Sequence, residues 1–331
     1  MISERGRKSL ILDMRILFVA AQKYNGRFSP FVEEQKEALM HAGVEVCGYA
    51  HTAHGILQYV HWIPKLHNVI KESQPNVIHA HFGLTGLMAG LAAIGTEVPV
   101  VVTYHGCDIN DKKLRPFSRI AMRLARWNIF VSKRQMINAY GTEMRACKAS
   151  KGVVLPCGVT IKLFDQDKVN NAWYDEKFGS GDYVLFAGSF SSVVKNPALA
   201  RQAVDLVKIE GRNVELLELK GYTREQVVTL MYRCKALLLT SVREGSPQVI
   251  KEAMACGCPI VSVDVGDVKD RVNGIGGCYV IDSRDPKKLA EALTAAIAYG
   301  RTTGREKLLE DGLDNNQVAE KLIGIYKYVG Q

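Results

Sequence analysis

Short runs of apolar residues recur along the chain, and segments with helical spacing separate them. Residues 15–21, 98–104 and 183–188 are apolar almost throughout, a pattern typical of strands buried on both faces of a parallel sheet. Residues 31–42 and 198–210 place apolar side chains three and four positions apart, which predicts helices. This alternation of strands and helices predicts an α/β fold with parallel sheets.

The remaining elements repeat the alternation. Further strands are predicted at residues 44–49, 76–83, 128–132, 153–159, 215–220, 237–239 and 260–264. Further helices are predicted at residues 223–233, 286–299 and 316–329, and another begins at Gln248. A polar stretch at residues 165–171 divides the elements into two groups. We therefore expect two domains, which suits 331 residues with 47% hydrophobic content.

Composition argues against a membrane-spanning protein. The chain has no run of roughly eighteen apolar residues, the length that crosses a bilayer as a helix. Residues 1–13 contain too short an apolar piece for a signal peptide, so a cytoplasmic location is expected. The eight cysteines lack paired metal-ligand spacing, which favours reduced thiols.

The segment from Leu237 to Ile260 carries the strongest chemical signal. It reads as a buried strand, a loop that contains Gly245, and a helix that begins at Gln248 and stops before Gly257. In such a unit the loop lies at the carboxyl end of a strand, and the first N–H groups of the helix have no partner within it. This arrangement suits an anion such as a diphosphate.

Glu244 and Glu252 lie in this segment with seven residues between them. Taken alone, they can be read as a surface loop acid and a solvated helix acid near the positive end of the helix dipole. The whole string, LLLTSVREGSPQVIKEAMACGCPI, resembles the E-x7-E signature of the retaining glycosyltransferases of family four. The other matching residues are Gly245, Pro247, Ala253, Met254, Ala255, Gly257 and Pro259.

This resemblance covers nearly the whole chain and implies the GT-B fold, in which two Rossmann-like domains face each other across a cleft. Residues 1–165 would form the acceptor-side domain and residues 166–312 the domain that binds a nucleotide-sugar. Residues 313–331 would form a C-terminal helix that crosses back to the first domain.

The resemblance also assigns roles around the donor. Glu252 would hold the ribose hydroxyls and Glu244 the hydroxyls of the donor sugar. Because carboxylates accept hydrogen bonds from hydroxyls and repel phosphates, acids suit the two sugars and backbone amides suit the diphosphate. The expected donor-binding residues are Gly188, Ser189, Lys195, Glu244, Gly245, Ser246, Pro247, Gln248, Val249 and Glu252.

Lys195 follows the strand at residues 183–188 and precedes a helix. A lysine at this turn can neutralise the charge that develops on a departing diphosphate, in place of a metal ion. Neither a metal nor a cofactor is therefore expected. The family commonly has an arginine where this chain has Ser189, so Lys195 carries more of that charge, or Arg243 or Lys220 compensates.

On the acceptor side, His105 follows the strand at residues 98–104, and His105-Gly-Cys-Asp108 matches the family pattern T-x-H-G-x-D. Open α/β sheets place ligands at such strand ends. The resemblance implies that His105 contacts the donor sugar or the acceptor hydroxyl and that Asp108 steers the acceptor. It also places His81 beside the cleft and the loop with Gly26 near the acceptor. The expected catalytic residues are His105, Glu244 and Lys195.

Two further patterns have a metal-binding alternative. His79 and His81 form a His-x-His pair that can bind zinc, but no third ligand is visible nearby. Asp165 and Asp167 form a D-x-D, the metal-nucleotide motif of the other glycosyltransferase fold. It follows no apolar strand, which favours coincidence.

The formal net charge of the chain is +9, and much of it lies between Lys112 and Lys148. Four arginines in this segment are spaced four, four and three residues apart, so on a helix they form one cationic stripe. They are Arg115, Arg119, Arg123 and Arg126. The stripe is either a solvated face or an acceptor-side surface for anionic lipid headgroups or a phosphate-linked acceptor.

The resemblance implies retaining, metal-independent transfer of a sugar from a nucleoside-diphosphate sugar, and the basic segment suggests a glycan or lipid-linked acceptor of the bacterial cell envelope. The expected partners are the donor, that acceptor and an anionic surface at the inner membrane face. A GT-B nucleotide-sugar 2-epimerase is one alternative. A basic nucleic-acid-binding protein is another, but the chain lacks a recognisable module for it, so no nucleic-acid partner is expected.

Overall fold

A computed structural model describes residues 14–22, 26–52, 55–148 and 150–331. The expectation about a signal peptide at residues 1–13 lies outside the described residues. The chain divides into two compact units. The first unit comprises the described residues up to Gly158 together with Asn315–Gln331, and the second comprises Val159–Asp314.

The first unit contains a parallel sheet with strand order β2-β1-β3-β4-β5-β6. Its strands are β1 (Arg15–Ala21), β2 (Glu45–His51), β3 (Val77–His81), β4 (Val100–Tyr104), β5 (Trp127–Phe130) and β6 (Gly152–Val154). Because β1 pairs with both β2 and β3, the strand order reverses at β1. Doubly wound sheets bind ligands at the carboxyl ends of the strands beside such a reversal.

Helices connect these strands on both faces of the sheet. They are α1 (Pro30–His41), α2 (Ile56–Ser73), α3 (Gly83–Ala92), α4 (Cys107–Asn110), α5 (Arg115–Leu124), α6 (Lys133–Tyr140) and α7 (Glu143–Cys147). Helix α1 begins where the pattern predicts it, with Pro30 in its first turn and Gly43 after its end at a φ of 90°. No helix among the described residues is both long and apolar enough to cross a bilayer.

Successive residues of β1 point to opposite faces of the sheet and so enter two different cores. Ile16, Phe18 and Ala20 pack with α1 on one face, and Leu17 and Val19 pack with α2 and α3 on the other. All five side chains are almost fully buried. This double burial explains why the strand is apolar throughout instead of alternating.

The second unit repeats the strand order of the first. Its parallel sheet has the order β11-β10-β9-β7-β8. The strands are β7 (Asp182–Phe186), β8 (Val214–Glu218), β9 (Ala236–Leu239), β10 (Ile260–Val263) and β11 (Cys278–Ile281). Here the order reverses at β7, which lies between β8 and β9.

The helices of the second unit cover both faces of this sheet. They are α8 (Asn171–Phe178), α9 (Pro197–Ile209), α10 (Arg224–Arg233), α11 (Gln248–Ala255), α12 (Val268–Val272), α13 (Pro286–Tyr299) and α14 (Gly304–Glu310). Thr223 and Gln226 form a capping box at the start of α10, so its first N–H groups have partners.

The last helix, α15 (Asn315–Val329), packs against the sheet of the first unit. The Tyr326 hydroxyl lies 2.5 Å from Nδ1 of His79 on β3, and Asn315 donates to the Glu34 carboxylate on α1. Both bonds join residues that are far apart in sequence. The predicted parallel α/β architecture is confirmed in both units.

Candidate active site

Two loops meet at the strand reversal of the second unit, one after β7 and one after β9. The Thr240 hydroxyl donates to the carbonyls of Lys195 and Asn196, each at 2.9 Å. The Val242 N–H donates to the Val194 carbonyl at 2.8 Å. These bonds hold the two loops side by side at the carboxyl edge of the sheet, where ligands are expected.

Lys195 and Glu244 form an ion pair across these loops, with Nζ 2.6 Å from Oε1. Gly188 makes room for the lysine, since a Cβ at this position would lie 2.7 Å from the Lys195 Cγ. Ser189 bonds instead to its neighbour Ser191, at 2.8 Å between the hydroxyl oxygens. The structure thus brings three predicted donor-site residues together, namely Gly188, Lys195 and Glu244, and Lys195 is paired with the Glu244 carboxylate. Arg243 and Lys220 are exposed.

The loop that carries Glu244 is fixed from a third direction by the turn after β10. Gly266 has a φ of 61°, and a Cβ there would lie only 2.7 Å from the Gly245 carbonyl oxygen. Arg284 donates to the carbonyls of Ser241 and Val242. The backbone from 241 to 245 is therefore clamped, which limits how far Glu244 can move.

A buried charge cluster lies behind this loop, and sequence analysis missed it. Lys251 is fully buried on α11, and Asp267 is 3% exposed at the start of α12. Burial raises the pKa of Asp267, while the Lys251 ammonium and then the Arg271 guanidinium lower it. The Arg271 Nε lies 3.3 Å from the carboxylate. Nothing in the spacing of Lys251 and Asp267 indicates this electrostatic interaction, because it depends on how the fold brings α11 near the start of α12.

Helix α11 begins directly after Pro247, whose side chain has no group that could cap it. Gln248 and Val249 lie in the first turn of α11, where backbone N–H groups point towards the helix N-terminus. The loop that carries Glu244 leads directly into this turn. Gly245 and Pro247 are buried, and Ser246 is half-buried. The predicted strand, loop and helix are all present.

Glu252 lies one turn further along α11 and is 8% exposed. Its Oε1 pairs with the Arg224 guanidinium on α10 at 2.5 Å. Arg224 in turn lies 4.8 Å from the centre of the Phe164 ring. Sequence analysis missed this pair, because Arg224 lies 28 residues before Glu252 on a different helix.

In the first unit, histidines line up at the carboxyl ends of β3 and β4. His81 is fully buried, and its Nδ1 lies 3.1 Å from Nε2 of His105. His79 is held by Tyr326 and, at 2.7 Å, by the Thr103 hydroxyl. The structure thus brings His81 and His105 together. Among the described residues, no three His, Cys, Asp or Glu side chains could hold a metal ion together.

Asp108 lies beneath His105 and is 3% exposed. Its carboxylate accepts the N–H groups of His105, Gly106 and Gly83 at 2.8–3.1 Å. Burial raises its pKa to about 6, although these backbone bonds oppose the shift. The carboxylate is engaged by three backbone donors, so the geometry favours positioning of His105 over direct contact with an acceptor.

The predicted stripe of four arginines on one helix is wrong in part. Helix α5 carries Arg115, Arg119 and Arg123, but it ends at Leu124, and Ala125 is extended. Arg126 lies directly before β5 and is bonded to the first residue of β4, because its N–H donates to the Val100 carbonyl at 2.8 Å. The cause is β5, which begins at Trp127 and requires the chain to leave the helix.

The three helical arginines also differ from one another. Arg115 donates to the Ile109 carbonyl at 2.7 Å, and Arg119 donates to the Ala139 carbonyl at 3.1 Å.

Gly26 lies in the loop after β1 with a φ of 80°, a left-handed conformation that suits glycine. Of the D-x-D pair, Asp165 is bound to Arg305 and Asp167 to Lys168.

Buried histidines are expected to make the stability of the first unit depend on pH. Burial lowers the pKa of His51, at the end of β2, to about 4, and that of His81 to about 3. The pKa of His79 is also lowered, by burial and then by the neighbouring His81 and His105. The unfolded chain binds protons on these rings as the pH falls below about 6.5, whereas the folded chain does not. Stability should therefore fall between about pH 6.5 and pH 4.

We expect His51→Gln to reduce this dependence by about 1.4 kcal/mol per pH unit, since one titrating ring is removed. Glutamine can keep the bond to Thr85, which His51 makes at 3.0 Å. Urea unfolding at several pH values between 4 and 6.5 measures the slope. The matched control is His61→Gln, at an exposed histidine of the same unit. Equal slopes for the two variants would contradict a neutral buried His51.

Comparison with family models identifies the chain. The model described as Glycosyltransferase Family 4 matches residues 22–163, and the model described as Glycosyl transferases group 1 matches residues 181–298. Together they match more than three quarters of the chain. The chain therefore belongs to glycosyltransferase family 4, as its signature segment predicted.

Curated relatives agree with this family. TuaC of Bacillus subtilis, described as a teichuronic acid biosynthesis glycosyltransferase, is 24% identical over 244 residues, which cover 68% of this chain and 62% of TuaC. A D-inositol 3-phosphate glycosyltransferase of Xylanimonas cellulosilytica is 25% identical over 275 residues, which cover 67% of this chain and 64% of that protein. The chain thus spans less than two thirds of the length of both relatives.

Solved structures share the fold. Sucrose-phosphate synthase from Thermosynechococcus elongatus aligns over 96% of this chain and 99% of its own, with a TM-score of 0.74 and 18% identity. Anabaena HepE in complex with UDP and glucose aligns over 95% of this chain and all of its own, with a TM-score of 0.67 and 17% identity. The predicted GT-B fold is confirmed.

Proposed function

We propose that this chain transfers a sugar from a nucleoside-diphosphate sugar to a hydroxyl of a glycan or lipid-linked acceptor, with retention at the anomeric carbon and without a metal ion. The observation that carries the proposal is the pairing of Lys195 with Glu244 beside the start of α11, at the strand reversal of the second unit. This pairing joins one cation and one acid, and the acid lies on the loop that leads into α11.

The cation and the helix N-terminus suit the leaving diphosphate. When the bond between the anomeric carbon and the diphosphate oxygen breaks, negative charge accumulates on the diphosphate. Lys195 and the N–H groups of Gln248 and Val249 can stabilise that charge because they are fixed before the reaction begins. The departing oxygen can then take the proton of the acceptor hydroxyl on the same face, as the new carbon–oxygen bond forms there.

The two acids suit the sugars. Glu244 has one oxygen on Lys195. An ionised carboxylate accepts several hydrogen bonds, so Glu244 can also accept one from a donor-sugar hydroxyl. Glu252 has one oxygen on Arg224 and can accept the vicinal ribose hydroxyls with the other. The Arg224 pair fixes the Glu252 carboxylate before the ligand arrives, which reduces the cost of ordering it.

Relatives support the substrate class. Anabaena HepE has been solved with UDP and with UDP-glucose, which supports a nucleotide-sugar donor here. TuaC is described as acting in teichuronic acid biosynthesis, which supports an acceptor among cell-envelope glycans. We place the reaction on the cytoplasmic side of the membrane, where it would meet a lipid-linked acceptor.

The acids give a prediction that separates their roles. Glu252→Gln should weaken the affinity for the bare nucleoside diphosphate by about tenfold or more, because a charged acceptor of ribose bonds is lost. Glu244→Gln should lower turnover more than nucleotide affinity, because its partner is on the sugar. Isothermal titration with UDP and steady-state kinetics measure the two effects.

The charge-matched control is Glu215→Gln, which removes an exposed acid paired with Lys208 in the same unit. It should change neither quantity. Unchanged UDP affinity in Glu252→Gln would refute the ribose assignment.

The function itself is tested by a thermal-shift screen of nucleotide-sugars, because a ligand that binds the folded state raises apparent stability. The stabilising donor is then supplied with glycan acceptors, and proton NMR reads the anomeric configuration of the product. An inverted product, or no stabilisation by any nucleotide-sugar, would overturn the proposal.

A further inference from the structure

A pocket of about 650 Å³ lies in the first unit, and the described residues that line it include five cationic side chains and no acidic one. Helix α5 contributes Arg119 and Arg123. Arg145 lies on α7, Lys148 caps the end of that helix, and Lys151 precedes β6. We call this the basic pocket. It is large enough for a small phosphorylated group, since ligand pockets commonly enclose about 300–1,000 Å³.

The basic pocket lies at the opposite edge of the sheet from the histidine cluster. It contains Asn128 near the start of β5 and Lys151 just before β6, so it borders the amino ends of these strands. His81 and His105 lie at the carboxyl ends of β3 and β4. Because parallel strands share their direction, the two sites are on different edges of one sheet. The basic pocket therefore does not belong to the candidate active site.

A buried residue organises the pocket. Asn128 is 1% exposed, and its side-chain amide donates to the carbonyls of Met122 and Lys151 at 3.2 and 3.1 Å. Its oxygen accepts the Tyr104 hydroxyl at 3.0 Å. Asn128 thus joins the end of α5 to the segment before β6, and holds Arg123 and Lys151 on the same side of the sheet.

The turn between α6 and α7 brings in the other cations. Gly141 has a φ of 89°, which lets the chain reverse after α6, and the Thr142 hydroxyl caps α7 by accepting the Arg145 N–H at 3.2 Å. Arg145 and Lys148 are three residues apart, so they share one face of this short helix. Both are exposed.

Within the described part of the chain, no carboxylate neutralises these cations. Among the described residues, none of the five forms an ion pair with a carboxylate, and only Arg119 is engaged, through Nε, with the Ala139 carbonyl. The contrast is a second arginine-rich pocket in the other unit. There, Arg233 pairs with Asp175, Arg305 pairs with Asp165, and Arg301 donates to the Met231 carbonyl.

Five like charges around one cavity repel each other, and a compact anion of more than one charge relieves that repulsion. Arginine guanidinium groups bind phosphate oxygens in pairs, while lysine ammonium groups add point charges. We propose that the basic pocket binds a phosphate or diphosphate group, carried either by a soluble molecule or by a lipid headgroup. Because the basic pocket borders the amino ends of β5 and β6, away from the histidines of the candidate active site, it would act as an anchoring or regulatory site and take no part in sugar transfer.

The test compares two double variants of the full chain. Arg145→Gln with Lys148→Gln removes two exposed charges from the basic pocket, and Lys65→Gln with Lys71→Gln removes two exposed charges from α2 as the matched control. Isothermal titration with inorganic pyrophosphate forms one arm. Cosedimentation with phosphatidylcholine vesicles, with and without phosphatidylglycerol, forms the other. Thermal unfolding checks that all proteins are folded.

We expect binding in at least one arm to weaken on the order of tenfold or more in the pocket variant and to stay unchanged in the control, since each basic residue near an anionic surface contributes about a fivefold change. Added salt should weaken it further. Loss in the pyrophosphate arm alone identifies a soluble ligand, and loss in the vesicle arm identifies a headgroup. Equal behaviour of the two variants in both arms, or no binding by the wild type, would overturn the proposal. Pyrophosphate bound near Lys195 would contribute equally to both variants.

Discussion

Replacing Lys195 with alanine should lower kcat by roughly 30- to 1,000-fold, which corresponds to the 2–4 kcal/mol that removal of one preorganised electrostatic donor costs. Lys195 is the cation at the strand reversal that the structure places 2.6 Å from Glu244. The position after Gly188, where the family commonly has an arginine, holds Ser189 in this chain, so Lys195 has less help there. Its loss should therefore be felt mainly in the transition state, when the diphosphate gains charge.

Steady-state kinetics of Lys195→Ala should be measured with and without excess EDTA, because a lysine that replaces a metal ion predicts activity in both. The matched control is Lys208→Ala, which removes a lysine from an exposed pair with Glu215 at 2.7 Å and should keep full activity. Wild-type activity that disappears in EDTA and returns with Mn²⁺ or Mg²⁺ would contradict the metal-independent mechanism. A normal kcat for the Lys195→Ala variant would show that Lys195 does not stabilise the departing diphosphate.

The second large effect is on stability. Lys251→Met should destabilise the second unit by about 3 kcal/mol, because it leaves the Asp267 carboxylate buried without its principal counter-charge. The Arg271 guanidinium, 3.3 Å away, remains and limits the loss. For a unit of this size such a loss lowers Tm by roughly 6–12 °C. Since α11 also carries the predicted donor contacts, nucleotide binding should weaken together with stability.

The double variant Lys251→Met with Asp267→Asn tests the cause, because it removes both buried charges and should recover much of the loss. Differential scanning calorimetry of the two variants measures this. Lys269→Met is the control, since it makes the same change at an exposed lysine that pairs with Asp282 at 3.7 Å. If Lys251→Met and Lys269→Met unfold at the same temperature, the buried pair does not stabilise the unit.

Much of the fold could be predicted from the sequence because the strands are buried on both faces. The short apolar run from Ile16 to Ala20 is typical of a strand inside a parallel sheet, and the helices predicted between such runs favour the α/β class. The helix predicted at residues 31–42 is observed at Pro30–His41, because apolar spacing and a following glycine mark its extent locally. The predicted stripe from Arg115 to Arg126 was wrong at Arg126, because a local pattern of arginines does not show where the helix ends and the next strand begins.

The sequence by itself determined the α/β class, through the alternation of apolar runs and helical segments along the chain. The family came from the resemblance of residues 237–260, which also implied the candidate donor residues Glu244 and Glu252, and Lys195 was a candidate because it lies at a strand-to-helix turn. Only the tertiary structure decided which charges meet. Arg224 pairs with Glu252, 28 residues away in sequence, and Asn128 joins the end of α5 to the residue before β6. The Lys251 charge lowers the pKa of the buried Asp267. These interactions depend on which helices and strands are neighbours in the folded protein, and the spacing of residues along the chain does not predict those neighbours.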